Sequence, residues 1–167
     1  MAVLGLNESK TTEHPLDVVE QIIVGHEWPF DRHGNDELAV GIAGSWCEFQ
    51  LWFSWNDERH ALQICCAYDM KVPAQRRPAV HGLLALLNEQ LWLGHFDMCS
   101  STGVPMFRHT VMLREGAPAE ASVIEEVLAI AIGEAERFYP AFQFVVWANK
   151  QPGEAMAAAL IETAGRA

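Results

Sequence analysis

Hydrophobic side chains follow two periods along this chain, and the changes of period predict its secondary structure. Over residues 15–24 the period is 3.6, which predicts a helix that Pro15 can begin and Gly25 can end. The apolar positions of this helix are Leu16, Val19, Ile22 and Ile23. Over 28–68 the period falls to two, which indicates β-strands, and over 75–92 leucines return at helical spacing.

Turn signals divide residues 28–68 into an antiparallel β-meander with turns at 33–35, 44–45 and 56–59. The loop lengths set the pairs Phe30–Leu38, Ile42–Cys47, Val40–Phe49, Leu38–Leu51, Phe53–Leu62, Leu51–Ile64 and Phe49–Cys66. All three hairpins then place their large apolar residues on one face, whereas a slip of one residue would reverse that. The helix over 75–92 is expected to lie on this apolar face.

Residues 94–113 predict a β-hairpin with two possible registers. If His95 faced His109, a metal site could form, but Phe96 and Phe107 would lie on opposite faces. The residues of that site would be His95, Asp97, Cys99 and His109. Pairing Phe96 with Phe107 instead places His95 near Arg108 and separates the cluster. Apolar pairing favours this second register, so no metal or other cofactor is expected.

The segment 118–164 predicts C-terminal helices. A long helix is expected over Glu120–Phe138, with Tyr139-Pro140 as its end, and a last helix over Gly153–Thr163, which Pro152 opens and Gly165 stops. The composition of 141–149 allows a strand, but its position between two helices favours a buried helix. The whole chain, 1–167, is therefore predicted to be one α+β domain, a twisted antiparallel sheet (meander plus hairpin) with helices packed on it.

The second face of the predicted sheet is not cleanly polar. Its candidate interface residues are Trp46, Gln50, Trp52, Gln63 and Cys65. Two interpretations stay open: the C-terminal helices cover this face, or it binds a second copy of the chain or another protein.

Composition and charge narrow the functional classes. Half of the 167 residues are hydrophobic and the formal net charge is -11, which favours a folded protein and disfavours binding to nucleic acid or anionic membranes. No run of about 20 apolar residues and no signal peptide is apparent. Adjacent Cys65 and Cys66 would point to opposite faces of a strand, which argues against a disulfide framework. A reduced, cytoplasmic protein is the expectation.

No catalytic signature appears in the sequence. It contains no G-x-S-x-G, no H-E-x-x-H and no glycine-rich phosphate loop, and Asp57-Glu58 is typical of a hairpin turn. Enzymatic activity would have to rest on an activated cysteine or histidine, for which Cys65, Cys66 and Cys99 are candidates. The protein is therefore expected not to be an enzyme.

A series of short motifs in the middle of the chain resembles the YbjN family of bacterial sensory transduction regulators. The series is Asn88, Leu91, Gly94-His95-Phe96, Gly103, Phe107-Arg108 and Leu113. The tail, from Tyr139-Pro140-Ala141-Phe142-Gln143 through Glu154-Ala155 to Glu162-Thr163 and Gly165, resembles a branch of that family. The resemblance implies a fold similar to that of type III secretion chaperones and brings no catalytic residues.

We expect structural roles for four motif positions, which are Asn88, Gly94, Gly103 and Arg108. For Asn88 we expect a hydrogen bond from helix to strand, and for Arg108 an ion pair with Asp97.

Three functions remain open at this point. The first is a non-enzymatic protein-binding module, a regulator or chaperone-like adaptor whose partner is unknown and which could form a homodimer. The second is a small-ligand sensor with its pocket between the leucine-rich helix and the sheet, or under Phe142–Trp147. The third is an enzyme of uncharacterised activity.

Overall fold

A six-stranded antiparallel sheet with helices packed against it forms the fold in the computed structural model, which describes residues 12–165. The strands are β1 (Phe30–His33), β2 (Glu37–Ala43), β3 (Glu48–Asn56), β4 (Ala61–Tyr68), β5 (His95–Met98) and β6 (Pro105–Met112). The helices are α1 (Pro15–Gly25), α2 (Arg77–Asn88) with a 3-10 turn (Ala74–Arg76) before it, α3 (Ala121–Val146) and α4 (Pro152–Ala164). The order of strands in the sheet is β1-β2-β3-β4-β6-β5, so the α+β prediction of a meander plus a hairpin is confirmed.

One face of the sheet, the inner face, forms the hydrophobic core together with the helices. Alternate residues of each strand point into it, which is the period of two seen in the sequence. Phe49, Leu51 and Ile64 have no exposed surface, as the pattern predicted. The core therefore lies between a sheet that is apolar on one face and the apolar stripes of the helices.

The strand registers of the meander differ by two residues from the prediction. Ile42 pairs with Phe49 and Phe53 pairs with Ile64, while Phe30 pairs with Val40. Because a shift of two residues returns every side chain to the same face, the composition of the core is unaffected.

The turns explain the shift. Residues 44–47 form the turn between β2 and β3, and the backbone N–H of Ser45 donates a 2.6 Å hydrogen bond to Glu136 of α3. The next turn begins one residue later than predicted, because the Asn56 side chain accepts a hydrogen bond from the N–H of Arg59. Cys47 consequently lies in a turn, and Cys66 pairs with Leu51.

The hairpin of β5 and β6 has the register that apolar pairing favoured. Phe96 lies opposite Phe107, with ring centroids 5.6 Å apart, and His95 lies opposite Arg108. Strand β6 also pairs with β4, so this hairpin extends the meander into one continuous sheet.

Helix α3 does not end at Tyr139-Pro140, and this prediction was wrong. The helix continues to Val146 with Pro140 in its interior. An interior proline costs about 3 kcal/mol because it removes one hydrogen bond and crowds the preceding turn. The segment around it buries Phe138, Phe142 and Val145 completely, at roughly 1.5–3 kcal/mol each, so burial outweighs the cost. Residues 141–146 are thus helical, as the favoured interpretation had them.

The leucine-rich helix does not cover the middle of the sheet, contrary to the prediction. It ends at Asn88 instead of residue 92, and α2 packs mainly on α3, α4 and the edge strand β5. Helix α3 lies against β4 and β6, in the position predicted for the leucine-rich helix, while α1 packs on β2 and β3. Small residues explain this choice, since fully buried Ala131 and Ala135 let α3 approach the sheet closely.

The edge strand β1 carries a charged side chain on its inner side. The Arg32 guanidinium bonds to Asp17 at 2.6 Å and to Glu20 at 2.8 Å, and both carboxylates belong to α1. These ion pairs raise the pKa of Arg32 and tie α1 to the edge of the sheet.

Arg76 joins the connection before α2 to the loop between α3 and α4. Its guanidinium donates hydrogen bonds of 2.9 and 2.6 Å to the carbonyl of Val145 and one of 3.3 Å to that of Lys150. These carbonyls lie at and beyond the C-terminal end of α3, where no intrahelical donor remains.

We expect Arg76→Ala to lower the free energy of unfolding by about 1.5–3 kcal/mol, because charge-assisted hydrogen bonds to backbone carbonyls are lost. Urea denaturation followed by circular dichroism measures this change. The control is Arg59→Ala, in an exposed turn, which should change stability by less than about 0.5 kcal/mol. Equal stability of the two variants would contradict the role given to Arg76.

Candidate functional site

The second face of the sheet, here called the outer face, brings four of the five candidate interface residues together. Trp52 pairs directly with Cys65, and Gln50 and Gln63 lie on the same face of β3 and β4. The helices pack against the opposite, inner face through residues such as Tyr68, so α3 and α4 do not cover this one. Trp52 is 40% exposed in the middle of the sheet.

Trp46, the fifth candidate, does not belong to the outer face. It lies in the turn between β2 and β3, and its indole stacks on Tyr139 of α3 at 6.4 Å between ring centroids. The prediction placed it on a strand because the turn was taken to be two residues shorter.

Charge is distributed unevenly over the outer face. Exposed Asp31, Glu37 and Glu48 lie on the β1–β3 half, and the outer positions of these strands carry no lysine or arginine. The other half carries Arg108, whose guanidinium lies 3.5 Å from the Asp97 carboxylate. The acidic half therefore presents an unneutralised negative surface beside Trp52.

Two motif residues make the contacts expected of them. The Asn88 side chain donates a 3.1 Å hydrogen bond to the carbonyl of Phe96 and accepts one of 2.7 Å from its N–H. The Arg108–Asp97 ion pair is present on the outer face of the β5–β6 hairpin. Asn88 thus links the end of α2 to the edge strand β5, and its role at this position is structural.

The two motif glycines occupy positions that no other residue fits. Gly94 has a φ of 68°, and a Cβ there would meet the Phe107 ring and lie 2.7 Å from the carbonyl oxygen of Arg108. Gly103 has a φ of 74°, and its Cβ would lie 2.9 Å from the carbonyl oxygen of Val72. Both glycines shape the ends of the β5–β6 hairpin and contribute no chemistry.

Cys99 is the most acidic of the four thiols. Its sulfur lies 3.2 Å from the Ser101 hydroxyl, and hydrogen bonds from the hydroxyl and N–H groups of Ser101 and Thr102 lower the pKa of Cys99 to about 6. Burial instead raises the pKa of Cys65 and that of Cys66. The sequence signal for this difference is Ser101-Thr102, two and three residues after the cysteine.

Within residues 12–165, the hydrogen bonds of the Cys99 thiol are with Ser101 and Thr102, and neither of these side chains is a general base. Across residues 12–165 no three histidine, cysteine or carboxylate side chains cluster as a metal site would require. The Asp57-Glu58 pair lies in the exposed turn between β3 and β4. Cys99 is therefore the most nucleophilic thiol among the described residues.

The two places expected for a ligand pocket are filled by side chains. Leu83 and Leu87 of α2 are fully buried, and Phe142 packs on Tyr68 with ring centroids 5.1 Å apart. An open groove lies elsewhere, between the turn after α1 and the surface of α3. The sequence signal for that groove was Gly133, an isolated glycine inside a helical pattern.

None of the helices within the described part of the chain combines the length and hydrophobicity that crossing a bilayer requires.

Comparison with known proteins finds a matching family model and a similar solved structure. A family model described as "YbjN: Putative bacterial sensory transduction regulator" matches residues 15–144. The fold is similar to the crystal structure of YbjN from E. coli, described as "a putative transcription regulator". The TM-score is 0.53 with 10% sequence identity, over 80% of this chain and 90% of that chain. No curated protein sequence matches significantly.

Removal of the Asn88 side-chain amide should weaken the attachment of α2 to β5. We expect Asn88→Ala to lower the free energy of unfolding by about 1–2 kcal/mol, because two hydrogen bonds to one residue are lost. Chemical denaturation gives the value, and Gln90→Ala, two residues along at an exposed position, serves as the control. The role is excluded if the two variants are equally stable.

The acidity of Cys99 predicts selective alkylation. With a pKa of about 6, Cys99 is largely a thiolate at pH 7, whereas the other thiols stay protonated, so iodoacetamide should label Cys99 first. The labelling rate should rise with pH through about 6, and Ser101→Ala should shift that midpoint upward. Mass spectrometry of peptides after timed labelling measures both effects. Equal labelling rates for Cys99 and Cys65 at pH 7 would contradict the prediction.

Proposed function

Because this chain belongs to the YbjN family, we propose that it is a regulatory module that acts by binding a protein through the outer face of its sheet. The observation that carries the proposal is the position of Trp52, a large aromatic side chain that is 40% exposed at the centre of a face without helical cover. Aromatic residues in such positions are enriched among those that dominate binding energy.

The surroundings of Trp52 suit a protein contact. Ala39 and Cys65 flank it on neighbouring strands, and Gln50 lies on its own strand two residues away. The His33 ring of β1 stacks on the indole with ring centroids 6.4 Å apart, and the amides of Gln50 and Gln63 offer hydrogen bonds at the rim. An apolar centre within a polar rim is the usual anatomy of a protein interface.

The charges predict the character of the partner surface. Asp31, Glu37 and Glu48 border Trp52 on the acidic half, so a partner with lysine or arginine beside an apolar patch complements it. A basic partner would also be attracted by the overall charge of -11. A second copy of the chain would bring like charges together on this half, so a homodimer through it is less favoured than a different protein.

The proposed module works without catalysis, as an adaptor or chaperone-like regulator in the cytoplasm. The Cys99 thiolate lies at the tip of the β5–β6 hairpin. Its hydrogen bonds within residues 12–165 are with Ser101 and Thr102, which are not general acids or bases. Regulation would follow from occupancy of the outer face.

Site-specific photo-crosslinking tests the location of the binding surface. Benzoylphenylalanine introduced at Gln50 or Gln63 should crosslink to a protein in living cells of the native host, whereas the same probe at Gln90, after α2, should not. Mass spectrometry then identifies the crosslinked protein.

The identified partner allows a quantitative test with matched variants. Trp52→Ala should weaken its affinity by roughly 30-fold, equivalent to about 2 kcal/mol, as for a residue that dominates an interface. Trp92→Ala removes another indole, which is fully exposed in the loop after α2, and should leave affinity unchanged. Crosslinks only from Gln90, or equal affinity of both variants, would refute the proposal.

A further inference from the structure

A groove of about 520 Å³ lies between the turn that follows α1 and the exposed side of α3. His26 and Trp28 form one wall, while Leu128 and Ile132 contribute apolar surface from α3. Its volume lies within the roughly 300–1,000 Å³ range of small-molecule sites. It is separate from the outer face, because α3 packs on the other side of the sheet.

The floor of the groove contains a glycine that the fold does not require. Gly133 lies inside α3, where glycine is unfavourable for the helix, and a Cβ added there would meet no atom within 4 Å. Ala129, one turn earlier, is also small and exposed. The absence of a side chain at Gly133 and the single methyl group of Ala129 keep the groove open.

The aromatic wall is held in place by the backbone. Glu27 has a φ of 57°, a left-handed conformation that is unfavourable for glutamate, and the N–H of Trp28 donates a 3.3 Å hydrogen bond to Ile23. The imidazole of His26 stacks on the indole of Trp28, with ring centroids 4.4 Å apart and planes within 12°. The strained residue thus positions a flat aromatic surface at the edge of the groove.

Among residues 12–165, the groove is lined by one carboxylate, that of Glu125, and by no lysine or arginine. We infer that this groove binds a small organic cation with an apolar body. The apolar part lies over Leu128 and Ile132, and the cationic group lies near Glu125 and the indole of Trp28. Carboxylate attraction and cation–π attraction to an indole both select a positive charge.

The dimensions of the groove suit a small molecule. The lining residues on α3 run from Glu125 to Gly133, which is nine residues or about 12 Å of helix.

Titration of octyltrimethylammonium into the full chain, below its micelle concentration, tests the inference by ¹H–¹⁵N NMR. We expect saturable shifts confined to residues 26–28 and 125–133, and none of that pattern with octyl sulfate, which has the same chain and opposite charge. Gly133→Leu should fill the groove and weaken binding by roughly tenfold or more, while its helix stays at least as stable.

A charge reversal with a matched control separates recognition from folding. Glu125→Lys should weaken binding by roughly threefold or more, because an attraction becomes a repulsion, and Glu126→Lys, outside the lining residues, should not. If Gly133→Leu fails to fold, this pair of variants decides the matter alone. Unsaturable shifts, equal binding of octyl sulfate, or the same affinity in both charge variants would overturn the inference. None of these outcomes bears on protein binding at the outer face.

Discussion

The seating of α3 on the inner face of the sheet is the contact on which the other features depend. The hydroxyl of buried Tyr68 donates a 2.8 Å hydrogen bond to the carbonyl of Ala135, and its ring packs edge-on against Phe142. Phe96 meets Phe138 in the same way, at 5.8 Å between ring centroids. The cluster satisfies a hydroxyl that would otherwise be buried without a partner, and burial raises the pKa of Tyr68 so that it remains a donor. With α3 fixed here, one sheet face is committed to the core and the helices leave the other uncovered.

This arrangement gives the two proposed sites different physical characters. The outer face is broad and shallow, with Trp52 at its centre, and a flat surface of this kind suits another protein. The groove beside Gly133 is narrow and mostly apolar, with one carboxylate, which suits a small molecule. Helix α3 forms the floor of the groove and also packs on the inner face of the sheet. It therefore connects the groove to the sheet whose opposite side is the outer face.

The sequence predicted the parts of this structure that depend on local periodicity. Alternation identified the inner residues, including Phe49, Leu51 and Ile64, and the pairing of Phe96 with Phe107 followed from matching apolar side chains. Features set by distant contacts were missed. The hydrogen bond from Ser45 to Glu136 lengthens a turn, and burial around Pro140 keeps α3 continuous. Neither effect has a signal within its own segment.

The same distinction applies to the candidate sites. Gln50, Trp52, Gln63 and Cys65 were placed correctly on one face because strand alternation determines it, whereas Trp46 depended on the length of a turn. The low pKa of Cys99 depends on how its turn directs two hydroxyl groups at the sulfur. Gly133 marks the floor of the groove in the sequence, but no local pattern shows that the turn after α1 packs opposite it.

The inward-facing Arg32 has a consequence for how copies of this protein can meet. Sheets grow into fibrils when an open edge accepts a further strand, and a charge turned toward the interior at that edge opposes such growth. Arg32, paired with Asp17 and Glu20 of α1, makes β1 a poor template for an incoming strand. The end of the sheet is thereby protected against edge-to-edge polymerisation, and the outer face can stay exposed for a partner with less danger of fibril formation.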